Sequence, residues 1–85
     1  VKFSELYKPG DKLWFVDVNY LTGKKELVYG HVRTIYDNVL ILTDEEDCSS
    51  HVISISEIEQ IFADEHSAKV CMSSIVVAAK YGGKQ

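Results

Sequence analysis

The feature that most constrains this chain is a turn feeding an alternating strand: Lys8-Pro9-Gly10-Asp11, then Lys12-Leu13-Trp14-Phe15-Val16-Asp17-Val18. Proline presets φ for a turn, and glycine supplies backbone angles that other residues avoid. The run that follows is rich in the β-branched and aromatic residues that suit a pleated surface. Leu13 and Phe15 alternate with Trp14 and Val16, so this strand is apolar on both faces. A strand of that kind must be covered twice. One face is expected to meet a β core, and the other to lie under a C-terminal helix.

The rest of the chain reads as short strands closed by one helix. Leu21-Thr22-Gly23-Lys24 is a hairpin connection, and the second strand is expected over Glu26 to Tyr36. Val28, Gly30 and Val32 share one face of it; Tyr29, His31 and Arg33 share the other. Ile35 then has the wrong parity unless the strand bulges near Arg33-Thr34. Gly30 inside a strand points to a bend or a close backbone approach. Asp37-Asn38 turns into Val39-Leu40-Ile41-Leu42. The polar loop Asp44 to Ser50 leads to His51-Val52-Ile53-Ser54-Ile55. Ser56-Glu57-Ile58 fits one helical turn, and Glu59-Gln60-Ile61-Phe62 a closing strand. The period-2 pattern predicts a core of Leu13, Phe15, Val28, Val32, Ile35, Leu40, Leu42, Val52, Ile53 or Ile55, and Ile61.

Asp64 is a good N-cap for a helix over 65–80, with Glu65 in its first turn and Gly82-Gly83 beyond its end. Ile75-Val76-Val77 is a mediocre helix former, and an edge strand there is the alternative. On a helical wheel Ala68, Cys71, Met72, Ile75, Ala78 and Ala79 form one broad stripe, with Val76 at its border, suited to the sheet. Val70, Val77 and Tyr81 form a second, narrower stripe on the opposite side. Single exposed apolar residues are common on surfaces. The sharper reading is a contact with a protein partner or with a second copy in a homodimer. A third arrangement wedges the helix between the strands and the Phe3 to Tyr7 segment.

The fold class is therefore mainly β with one C-terminal helix. The order of elements is that of an SH3-like barrel of about five strands (residues 11–62) with helix 65–80 appended. Lys8-Pro9-Gly10-Asp11-Lys12-Leu13-Trp14-Phe15-Val16, Tyr29-Gly30-His31-Val32, Ile53-Ser54-Ile55-Ser56-Glu57-Ile58, and Ile61-Phe62-Ala63-Asp64-Glu65 through Ala68 carry a resemblance. Over residues 8 to about 72 the chain resembles small SH3-like proteins of phages and mobile elements in Firmicutes. There a GD-x-V-Y-F strand, a G-x-V strand and an I-P-x-S turn precede a T-x-E-E-A helix. The resemblance implies the barrel and a phage or mobile-element origin. It transfers no catalytic residue, and the helix here is longer and more apolar than that pattern.

Composition narrows the function classes. Eighty-five residues make a single domain, with the barrel at 8–62 and a short tail at 82–85. At 46 % apolar and 26 % charged, the chain is ordinary globular protein. No apolar run approaches the ~20 residues that span a bilayer, and no apolar h-region follows Val1-Lys2-Phe3-Ser4-Glu5, so a cytoplasmic location is expected. In a reducing compartment Cys48 and Cys71 are expected as free thiols.

Cys48 and His51 have C-x-x-H spacing and His66 could join them, but structural zinc wants two close ligand pairs. Asp44-Glu45-Glu46-Asp47 lacks the alternating spacing of a calcium loop. No signature ties His31, His51 or His66 to a nucleophile, so no catalytic residue, metal or cofactor is expected. The leading expectation is a non-enzymatic protein-interaction module. The runner-up is a nucleic-acid-binding barrel that uses Trp14, Tyr20, Tyr29, His31, Arg33 and Tyr36 along the first hairpin, since aromatic faces stack bases. The net charge of −4 works against that reading.

Overall fold

A computed structural model describes residues 1–73. The chain runs through α1 (Phe3–Leu6), β1 (Lys12–Asn19), β2 (Lys24–Ile35), β3 (Val39–Asp44), β4 (Ser50–Ser54), a 3-10 helix (Ile55–Gln60), β5 (Ile61–Phe62) and α2 (Glu65–Ser73). The strands form one antiparallel five-stranded sheet in the order β4-β3-β2-β1-β5. Among the described residues no ladder joins β4 to β5, so the sheet is open between its outer strands. None of the helices in these residues is long and apolar enough to cross a membrane.

The launching turn forms as its residues dictate. Gly10 sits at φ 94°, the Asp11 amide donates to the Lys8 carbonyl at 3.1 Å, and the Lys8 amide donates to the Asp11 carboxylate at 3.0 Å. At the far end of the hairpin Asn19 accepts from the Leu21 and Thr22 amides, and Gly23 closes the loop at φ 77°. The bulge expected near Arg33-Thr34 is there: the β2–β3 register shifts between Val32 and Thr34. The shift moves Ile35 back to the core side, where it packs half-buried beside the main core.

The two-sided first strand is the organising element. Leu13 and Phe15 enter a core with Phe3, Val28, Val32, Leu40, Leu42, Ile53 and Ile61. Val16 and Val18 enter a second core with Ala68, flanked by Trp14, Leu27, Phe62, Cys71 and Met72. Thus α2 covers the outer face of β1 with Ala68, Cys71 and Met72, the described part of the expected stripe. The Lys25 ammonium donates to the Cys71 carbonyl at 2.9 Å and ties the helix to β2. Ile75 and the later stripe residues, with helix positions 74–80, lie outside the described residues.

Two expectations need correction. Val52 is 67 % exposed rather than in the core. Ile53 takes the core face of β4, and Val52, paired with Ile41, points to the outer face, away from β1, β2 and β5 where α2 packs. The choice left open between Ile53 and Ile55 falls to Ile53, which is fully buried, while Ile55, the first residue of the 3-10 helix, packs half-buried against the core. The wedge arrangement also fails for the described part of α2. Phe3 is fully buried in the main core, whereas Ala68 lies in the core on the opposite face of β1. Phe3 is held there by its own amide, which donates to the Asp37 carbonyl at 2.9 Å.

Asp64 caps α2. The Ser67 amide donates to one of its carboxylate oxygens at 2.8 Å and the Ser67 hydroxyl to the other at 3.0 Å. These bonds, the amide's first, hold the Asp64 carboxyl below its ordinary value. A folded pKa below the unfolded one adds stability that is present above the unfolded value and lost as pH falls through the folded one. The protection of the Ser67 and Ala68 amides, taken relative to their intrinsic exchange rates, should therefore fall when pH drops below the usual aspartate range. Asp64→Asn, which keeps the acceptor but cannot titrate, should remove that acid dependence. Unchanged acid dependence in the variant would assign it to another group.

Candidate functional site

The outer face of the first hairpin carries the site. Trp14 and Tyr29 are register partners across β1 and β2, and their ring centroids lie 4.4 Å apart at 31°. Stacking across a strand pair is how two aromatic residues on one face remove area from water. Phe62 is the register partner of Trp14 on the other side, in β5. Together they carry an apolar strip out from under α2.

That strip ends in a cleft of about 440 Å³ lined by Trp14, Leu27, Tyr29, Asp44, Glu45 and Glu46. Its wall is the loop after β3, and that loop shapes itself with its own carboxylates. Asp44 accepts from the Glu46 amide at 2.6 Å and from the Asp47 amide at 3.3 Å. Asp47 accepts from the Ser49 hydroxyl and amide, in that order of effect, and its pKa is lowered. Cys48 completes the turn at φ 62°, in the left-handed region, with its amide donating to the Asp44 carbonyl at 3.0 Å. The Glu45 amide donates to the Tyr29 carbonyl at 2.9 Å, which pins the acidic wall to the aromatic floor. The charge run is thus an ordered turn, not merely a solvated stretch.

His31, the next outward-facing residue along β2, meets the Glu45 carboxylate through Nδ1 at 2.5 Å. The Glu46 side chain has no ion-pair or hydrogen-bond partner among the described residues. Among the described residues, all the charged ones that line the cleft are acidic.

The nucleic-acid candidates divide. Trp14, Tyr29 and His31 come together on this face. Tyr20 lies at the opposite end of the hairpin, where its hydroxyl donates to Gln60 at 3.0 Å. Arg33 is at the bulge and exposed, and Tyr36 follows β2 at 58 % exposure. Of the second helical stripe, Val70 is 55 % exposed, while Val77 and Tyr81 lie outside the described residues.

Cys48 is exposed, Cys71 is half-buried, and both are free. Among the described residues no three His, Cys, Asp or Glu side chains converge as a metal site. His51 instead contacts the Ser49 hydroxyl at 3.2 Å and lies 3.9 Å from Asp44. A second hollow, of about 280 Å³, sits among Asp17, Asn19, Lys24, Lys25 and Glu26, where charges of both signs alternate.

The sequence predicts Trp14 and Tyr29 together only as part of a nucleic-acid surface along the hairpin, and it does not predict the acidic wall beside them. Glu45 and Glu46 are remote from Tyr29 along the chain, and only the β2–β3 register brings them to it. No family model, curated protein or solved structure matches the chain.

Proposed function

We propose that this is a non-enzymatic SH3-like small barrel, cytoplasmic and of phage or mobile-element origin, that acts as a protein-interaction module. Support for the barrel comes from its edges: Ile53 of β4 and Ile61 of β5, from the two outer strands, share one core. The observation that carries the function is the Trp14–Tyr29 cleft, an apolar floor left open between a helix-covered face and an ordered loop. Concave apolar surface with a few fixed polar groups is where ligands bind.

Nucleic acid is the weaker reading. Glu45 and Glu46 line the cleft beside Trp14 and Tyr29 and would repel a phosphate backbone, and the six candidate residues do not form one surface.

A selection from a random peptide library should yield ligands that alter the fluorescence of Trp14, the chain's one tryptophan. Those ligands should be lost in Tyr29→Ser. A library that yields no ligand, or ligands indifferent to Tyr29→Ser, would refute the cleft as the partner site.

A homodimer through Val70, Val77 and Tyr81 is the second reading, supported by the exposure of Val70. Two-fold pairing lets one stripe cover itself. Light scattering should then show a dimer that Val77→Glu dissociates into folded monomers.

A further inference from the structure

We infer that the Trp14–Tyr29 cleft takes a cationic side chain, arginine or lysine, carried on a basic segment of a partner protein; this rests on the reading of the cleft as the partner site. Three observations carry it. The floor is aromatic and aliphatic, from Trp14, Tyr29 and Leu27. Ring faces attract a cation through their quadrupole, and a lysine or arginine stem lays its methylenes along apolar surface while its head stays polar. The wall is acidic among the described residues, and it is already built: the Glu45 amide is bonded to Tyr29, and Asp44 and Asp47 hold the turn. A preformed wall loses little entropy when a ligand arrives. Finally, of the three carboxylates among the described residues that line the cleft two are engaged and one is not: Asp44 accepts from the Glu46 and Asp47 amides. Glu45 is taken by His31, and Glu46 has no partner among the described residues.

Charge complementarity selects the occupant. A neutral or acidic chain would bury Glu46 against nothing that neutralises it, and a phosphate backbone would be repelled. The whole-chain charge of −4 adds a field that draws basic partners in. Arginine should exceed lysine, because a planar guanidinium can stack on a ring and present its fork to a carboxylate at once.

The test uses short matched peptides whose central residue is arginine, lysine, glutamine or glutamate, together with a single-stranded oligonucleotide. Trp14 fluorescence and tyrosine resonances report binding. The arginine peptide should bind at least about tenfold more tightly than the glutamine peptide at low salt, and the advantage should shrink as salt rises. Glu46→Gln should lower its affinity several-fold with the urea midpoint unchanged, and Glu45→Gln, which also frees His31, should do so too. Equal binding of the arginine and glutamine peptides, indifference to both substitutions, or preference for the oligonucleotide would overturn the inference. Library ligands that occupy the cleft without a basic residue would overturn it while leaving the partner site intact. A cleft that binds no peptide at all removes both.

Discussion

Phe15→Ala should leave the chain unfolded, or nearly so, at room temperature. Phe15 is 2 % exposed and lies near the middle of β1, paired with Val28 on one side and Ile61 on the other. All three belong to the main core, so the ring spans the join between β2 and β5. Removing a buried phenylalanine ring costs ~3–5 kcal/mol. Native domains hold only ~5–15 kcal/mol in total, and small ones sit low in that range because they bury a smaller share of their surface. Urea unfolding followed by circular dichroism measures the effect. Val52→Ala makes the control, since Val52 is 67 % exposed and should change the midpoint little. A Phe15→Ala midpoint equal to that of Val52→Ala would refute the assignment of faces on β1.

Much of this architecture was legible because periodicity is local. The alternation of Leu13 and Phe15 with Trp14 and Val16 states that β1 is covered on both sides, and the two separate cores follow from it. The parity conflict between Val32 and Ile35 places the bulge. Asp64 announces the start of α2 through its reach to Ser67.

What escaped is decided at long range. Phe3 precedes the launching turn and follows no strand period, yet it is completely buried in the main core, tied there by its amide's bond to the Asp37 carbonyl. Val52 and Ile53 are both β-branched, and nothing local says which of them faces inward. Only the pairing of Ile53 with Leu40 settles it. The candidate site divides the same way. Aromatic residues on adjacent strands of a hairpin can be paired by counting from the turn, so Trp14 and Tyr29 were within reach of the sequence. The acidic wall comes from beyond β3, and its position over Tyr29 depends on the Glu45 amide bond.

The second large effect is expected at Gly30, where substitution should cost more than at either turn glycine, for a different reason. Gly30 lies in the central strand, with Leu13 opposite on β1 and Asp44 opposite on β3. Its φ lies outside the left-handed region, so conformational freedom is not what the position requires. A Cβ added there would overlap the Thr43 carbonyl oxygen and stand 2.8 Å from the carbonyl carbon. The obstacle is backbone, so no rotamer change relieves it; β3 must move away from β2. That movement breaks ladder bonds on one side of the main core, where Leu42 and Val32 are packed. Overpacked core sites cost ~1–3 kcal/mol, and a clash with a laddered backbone belongs at the upper end or beyond it. Gly23 provides the contrast. Its Cβ would meet nothing within 4 Å, but its φ is +77°, so Gly23→Ala should cost only the left-handed strain of ~1–2 kcal/mol. Gly30→Ala should therefore lower the urea midpoint further than Gly23→Ala. It should also broaden the Tyr29 and Trp14 resonances, since the loop that walls the cleft hangs from the strand that is displaced. Equal midpoints for the two variants would mean that β2 and β3 do not approach this closely, and the placement of Glu45 and Glu46 over the aromatic pair would fall with that register.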